Sequence, residues 1–362
     1  MGAPKIESKA LKYGYANARI KVMKALLIDQ ALLDELIRVR TVDGVAELLQ
    51  RTDYKTDFTG EGGYTGSQIV EIASARNFSR TVGKILRLAP KDDLPAVKSL
   101  LRKWDILNMK TIIHAKMAGL TYRDIKPYLI NTGGLPESEA EQIMKAEGDE
   151  FFNELKRTEL GKEMLSVSTA AFSKNMRRIF NNALKNMNMF VQVESIIDAY
   201  AYLFMDKGLA QVGGKEIESI RKILKKEIDE KNVLIIERLK KHDFGKEEIR
   251  KYLIKGGTLR TAFIDKLMEA QDRQLTVSLI KSRFRRLELK EGETSLIDLE
   301  MALEKAVAAE KVAAFHRSIM SIGVVLGFIL LKEEEMNNLR KIAKAKEFNV
   351  PEAEVREMLV LV

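Results

Sequence analysis

Apolar residues recur along this chain at spacings of three and four, the period of helices with one face turned inward, and one such stretch occurs three times. The copies align without a gap on Asn108, Asn232 and Asn338. Each has an acid three residues before the Asn (Asp105, Asp229, Glu335) and a lysine eight residues after it (Lys116, Lys240, Lys346). Between them, Met109, Val233 and Leu339, then Ile112, Ile236 and Ile342, then Ala115, Leu239 and Ala345 mark one helix face. A polar break follows at Gly119, Asp243 and Asn349, residue types that end helices or take the left-handed cap conformation. A second, shorter helix is predicted beyond the break, with Ile125, Ile249 and Val355 and then Leu129, Leu253 and Leu359 on its apolar side. The pattern predicts three related units, 1–137, 138–260 and 261–362, each ending in a helical hairpin.

The joints are expected where glycines follow the first two hairpins, at Thr132-Gly-Gly-Leu-Pro136 and Gly256-Gly-Thr258. Upstream the units are less alike, although Glu47-Leu-Leu-Gln-Arg-Thr52 and Glu154-Leu-Lys-Arg-Thr158 echo each other with one residue missing. A loop with four glycines, Phe58 to Gly66, separates an N-terminal helical group from a long helix expected to start near Ser67.

Composition agrees with an all-α fold: Ala, Leu, Ile, Glu, Lys, Arg and Met are abundant, while 362 residues include 6 Pro and 7% aromatics. The absence of cysteine excludes disulfides, thiolate metal sites and thiol nucleophiles, and fits a reducing compartment. Met1 to Ala10 has no apolar core of the kind a signal peptide needs. The longest apolar-looking run, Ile319 to Leu331, is too short to span a bilayer. Net charge is +9, with 22 basic and 15 acidic residues in the first unit, 23 and 20 in the second, and 16 and 17 in the third. This balance suggests an acidic partner, a nucleic acid or an anionic membrane surface.

Motifs for chemistry fail on inspection. Gly208-Leu-Ala-Gln-Val-Gly213-Gly-Lys215 resembles a phosphate-binding loop, but Gly214 is inserted before the lysine and Glu216 takes the place of the magnesium-binding hydroxyl. Gly60-Glu-Gly62-Gly-Tyr-Thr65 has a threonine where a dinucleotide site needs its last glycine. His114, His242 and His316 are scattered rather than clustered for a metal. No cofactor is expected, and nothing in the chain argues for an enzyme.

Two basic clusters are candidate partner surfaces. Arg76, Arg80, Lys84 and Arg87 form one ridge on a helix whose other face carries Phe78, Val82 and Ile85. Lys281, Arg283, Arg285 and Arg286 form the other. A packing role, capping or bridging to the next unit, is expected for Asp105, Asn108, Lys116 and their counterparts.

The ends of the chain carry a resemblance. Tyr13-Gly-Tyr-Ala-Asn-Ala-Arg-Ile-Lys-Val-Met23, Arg51-Thr-Asp-Tyr54 and Val325-Leu-Gly-Phe-Ile-Leu-Leu-Lys-Glu-Glu-Glu-Met-Asn-Asn-Leu-Arg-Lys341 resemble the C subunit of archaeal A-type ATP synthases, the counterpart of the vacuolar ATPase d subunit. The likeness covers nearly the whole chain, except that prolines expected near Met320 and Val324 are absent. It implies three similar helical domains forming a pseudo-threefold funnel. It also implies a non-catalytic rotor subunit, one copy per complex, peripheral at the cytoplasmic face of the membrane. Such a subunit sits on the proteolipid ring and receives the central-stalk D and F subunits. The competing reading is a basic helical-repeat scaffold for nucleic acid. It expects basic residues on one face of every unit and aromatic stacking platforms, whereas the third unit is net acidic and the single Trp104 is expected in the core.

Overall fold

The computed structural model describes residues 5–58, 63–160, 162, 201–284, 286–289 and 294–360, and among these every regular element is helical. Helix α1 is Lys5–Lys24, α2 Gln30–Arg38, α3 Val42–Leu49, α4 Ser67–Leu88, α5 Leu94–Met117, α6 Tyr122–Ile125, α7 Glu137–Lys145 and α8 Gly148–Arg157. After a helical stretch at 201–212 come α9 (Lys215–Lys240), α10 (Lys246–Ile249), α11 (Thr261–Glu269) and α12 (Arg273–Lys281). The chain finishes with α13 (Leu296–Arg317), α14 (Ile322–Glu347) and α15 (Glu352–Met358).

Helix starts follow local chemistry. Asp29, Thr41, Asp272 and Ser321 each accept a hydrogen bond from a backbone N–H of the first turn they precede. Thr121 with Asp124 and Ser295 with Asp298 form reciprocal capping boxes. Such caps are worth about 1 kcal/mol each.

Two compact units are defined by internal packing: residues 1–97 with 212–223 and 270–362, and residues 98–211 with 224–269. In the first, α14 is the central element and packs against α4, α13 and α1. Every residue from Ile322 to Met336 is buried. The apolar run at 319–331 is therefore mainly the start of a core helix, and no described helix is long and apolar enough to cross a membrane. Phe78, Val82 and Ile85 of α4 lie in this core, while Trp104 with Leu100 and Ile112 of α5 is buried in the second unit.

One order of helices recurs. The nine-residue helices α2, α7 and α11 are each followed by a second short helix. The long helices α5, α9 and α14, which carry the repeated Asn, are each followed by a hairpin helix, α6, α10 or α15.

Candidate functional site

The three Asn-centred hairpins have the same local geometry. Gly119, Asp243 and Asn349 take positive φ (69°, 59° and 55°). The next residue, Leu120, Phe244 or Val350, donates its N–H back to the carbonyl of Ala115, Leu239 or Ala345. These are Schellman caps, which satisfy carbonyls orphaned at the helix end and turn the chain back.

The returning strand of backbone is gripped by the asparagine. Asn108 Nδ2 donates to the Ile130 carbonyl at 2.7 Å and Ile130 N–H donates to Asn108 Oδ1 at 2.9 Å. Asn232 repeats this with Ile254 at 2.8 and 2.8 Å, and Asn338 with Val360 at 2.6 and 3.2 Å. The partner is 22 residues further on each time. An amide side chain has one donor and one acceptor at the spacing of a backbone N–H and C=O, so it completes both groups where a carboxylate or hydroxyl could not.

Two of the acids three residues earlier hold the threonines of the glycine segments that follow the hairpins. Asp105 accepts from the Thr132 hydroxyl and from Arg102 Nη1 at 3.0 Å. Asp229 accepts from the Thr258 hydroxyl, Thr258 N–H at 2.8 Å and Leu259 N–H at 3.1 Å. Both sites need glycine, because a Cβ on Gly134 or Gly257 would overlap the Asp105 or Asp229 carboxylate. Burial raises the pKa of both carboxyls, opposed chiefly by the threonine hydrogen bonds.

The lysines close the C-terminal ends of the nine-residue helices. Lys116 Nζ donates to the carbonyls of Met144 (3.0 Å) and Ala146 at the end of α7, and Lys240 Nζ to that of Leu267 in α11 at 3.3 Å. Lys346 does the same for Ile37 in α2, 309 residues away in sequence. A cation at a helix C-terminus meets orphan carbonyls and the negative end of the dipole. Burial lowers the pKa of Lys116 and Lys346.

The third copy thus completes itself with the start of the chain. Leu339, Ile342, Val355 and Leu359 share one buried cluster with Leu33, Leu36, Ile37 and Val45, and Arg356 pairs with Asp34. The acid changes partner accordingly: Glu335 accepts from Ile28 N–H at 2.7 Å, the Tyr54 hydroxyl at 2.6 Å and Lys332. Burial and the Glu335 charge push the Tyr54 hydroxyl well above its usual pKa. Beside this group, Lys311 reaches Glu334 at 2.8 Å and Glu333 at 3.5 Å, also within the core.

A fourth grip of the same kind is not visible in the repeat. Asn17 Nδ2 donates to the Ser321 carbonyl at 3.2 Å and Ser321 N–H donates to Asn17 Oδ1 at 3.0 Å. The only pointer was its place inside the Tyr13–Met23 segment. Met320 just before it has φ 46°, a conformation closed to proline, whose ring holds φ near −65°.

The first basic ridge is partly consumed inside the fold. Arg80 donates to Asp57 through Nε at 3.2 Å and Nη2 at 2.8 Å, and to Asp53 Oδ2 at 2.9 Å; the hydrogen bonds to Asp57 are the largest influence raising its pKa. Arg76 donates to the Asp57 carbonyl at 3.4 Å, Lys84 lies close enough to lower the Asp53 pKa, and Arg87 is exposed. In the second cluster Lys281 and Arg283 are exposed and Arg286 donates to the Ala309 carbonyl at 2.9 Å; Arg285 lies outside the described residues. The phosphate-loop look-alike is a helix end and a turn, with φ of 68° and 98° at Gly213 and Gly214, before α9 begins at Lys215. Of the glycine-rich segment at 60–65, residues 60–62 lie outside the described residues. His114, His242 and His316 are exposed and far apart in the sequence.

These features define an all-α protein organised by one helical hairpin used three times, each locked by the same buried amide. The chain belongs to the ATP synthase (C/AC39) subunit family, whose pattern matches residues 16–358. It is 27% identical to the C subunit of the A-type ATP synthase of Thermococcus onnurineus, over 97% of this chain and 91% of that protein. The protein of the same name from Methanocaldococcus jannaschii is 28% identical over 96% of this chain and 86% of the relative, and that of Methanosarcina acetivorans 25% over 97% and 93%.

Proposed function

We propose that this chain is the non-catalytic central-rotor subunit of an A-type ATP synthase, seated on the proteolipid ring and receiving the D and F stalk subunits. Units 1–137, 138–260 and 261–362 are its three walls, arranged as a pseudo-threefold funnel. It transmits torque between ATP turnover and ion translocation at the cytoplasmic face of the membrane.

Family membership supports the assembly, and one observation carries the mechanical role. The third hairpin holds α2 as the first two hold α7 and α11, so every copy of the repeat is tied in the same way to a nine-residue helix. A coupler under load must resist bending at its joints. Buried, fully paired polar ties do this because opening one leaves groups without partners in a medium that solvates them poorly.

The test is recovery of partners from detergent-solubilised membranes with the tagged chain. Proteolipid and stalk subunits are expected together. Recovery of nucleic acid or soluble enzymes without them refutes the reading.

A further inference from the structure

Helix α1 has two apolar sides, of which the fold uses one. Ala16 and Ile20 are buried against the core. On the opposite side Leu11, Tyr15 and Val22 are 88%, 72% and 58% exposed, and Leu26 just beyond the helix is 50% exposed. At 100° per residue, positions 11, 15, 18 and 22 fall within about 60° of one another and make a stripe roughly 16 Å long.

Along this segment of the sequence the charge has one sign, and the acids nearest to it, Asp92, Asp93 and Glu216, lie on other elements beside Lys9 and Lys12. From Ser8 to Ile28 the chain has five cations (Lys9, Lys12, Arg19, Lys21 and Lys24) and no acid. Lys12 is held by Asp93, Lys9 lies 4.0 Å from Glu216 and Lys24 sits over the Phe315 ring. Arg19 and Lys21 are exposed with no partner among the described residues, and lie about 80° to either side of the stripe.

We infer that the outer face of α1 is a lipid-contact surface that docks on an anionic phospholipid headgroup layer. Leu11, Tyr15 and Val22 enter the headgroup boundary while Arg19 and Lys21 meet phosphates on either flank. This is the arrangement of an interfacial helix: a narrow apolar stripe for depth, an aromatic ring with a polar tip, and long cations whose stems lie along the apolar surface. A sheet of negative charge complements cations on both flanks at once. The inference deepens the membrane-peripheral part of the reading above and rests on it.

The experiment is co-sedimentation of the full chain with vesicles of mixed phosphatidylglycerol and phosphatidylcholine, and with phosphatidylcholine alone. Binding to the mixed vesicles is expected, weakening as salt rises. Arg19→Glu with Lys21→Glu should lower partitioning by at least about 25-fold, roughly fivefold for each cation lost. Leu11→Ser with Tyr15→Ser should lower it as well, and these exposed sites leave the core intact. Lys98→Glu with Lys222→Glu, the same change of net charge at exposed positions elsewhere, should change it by no more than about twofold because of screening. Absence of binding, equal binding to neutral vesicles, or equal losses in the two charge pairs would overturn the inference. So would a reversed α1 pair that still binds vesicles but no longer recovers stalk or ring subunits, which makes the stripe a protein contact. The vesicles contain no proteolipid or stalk, so failure here leaves the rotor reading standing, and failure of the membrane pull-down leaves vesicle binding unexplained but intact.

Discussion

Replacing Asn232 by Ala removes the tie between α9 and the backbone that returns after α10. Asn232 is 2% exposed and Ile254 3%, so water does not readily replace the two hydrogen bonds of 2.8 Å. The variant strands a buried N–H and a buried C=O, each costing about 1–3 kcal/mol. A total near 3 kcal/mol is expected, roughly 6–12 °C in the thermal transition of the unit containing it. Asn232→Asp separates the two bonds: it keeps an acceptor for the Ile254 N–H but sets a carboxylate against the Ile254 carbonyl, so its defect should shrink as acid protonates it. Asn338→Ala should cost about half as much, because the Val360 pair is only partly buried and its N–H bond is longer at 3.2 Å. Thermal unfolding by circular dichroism gives the magnitude, and hydrogen exchange at the Ile254 amide gives the location. If Asn232→Ala moves the transition by less than about 1 °C and leaves Ile254 protected, the tie is not what holds the hairpin.

Two further outcomes follow from buried charge. Asp229 has a folded pKa raised by burial above its unfolded value of 3.8, so its stabilising contribution is complete below that value and is lost as pH rises through the folded pKa. Asp229→Asn keeps an acceptor for the Thr258 and Leu259 amides and should flatten that part of the stability profile, measured as the wild-type minus variant difference across acid to neutral pH. Glu335→Ala removes the carboxylate paired with Lys332 in the core, leaving that cation the Tyr54 hydroxyl at 3.1 Å, and should cost about 3–5 kcal/mol, whereas Glu335→Gln, which still accepts from Ile28 N–H, should cost less; denaturant unfolding distinguishes them.

Much of the hairpin was legible because it is local. The 3–4 apolar spacing, the break at Gly119, Asp243 and Asn349, and the expected long helix from Ser67 all depend on neighbours within a turn or two, and the left-handed caps and helix limits lie where those residues put them. The Arg76–Arg87 ridge was readable as a row of cations, but not as a row already in use. Asp53 and Asp57, 27 and 23 residues away in sequence, meet Arg80 only in the folded chain.

By itself, then, the sequence determined the all-α class, the threefold recurrence of acid, Asn and Lys, and the family to which these residues belong. Tertiary structure alone decided what the recurring residues hold. The asparagines grip backbone groups of Ile130, Ile254 and Val360, and a backbone amide is the same in every residue, so it leaves no mark in the sequence. The lysines reach carbonyls at helix ends for the same reason, and the pairing of Lys346 with Ile37 spans nearly the whole chain. Periodicity records which side of a helix is apolar; only the folded chain brings a particular carbonyl to it.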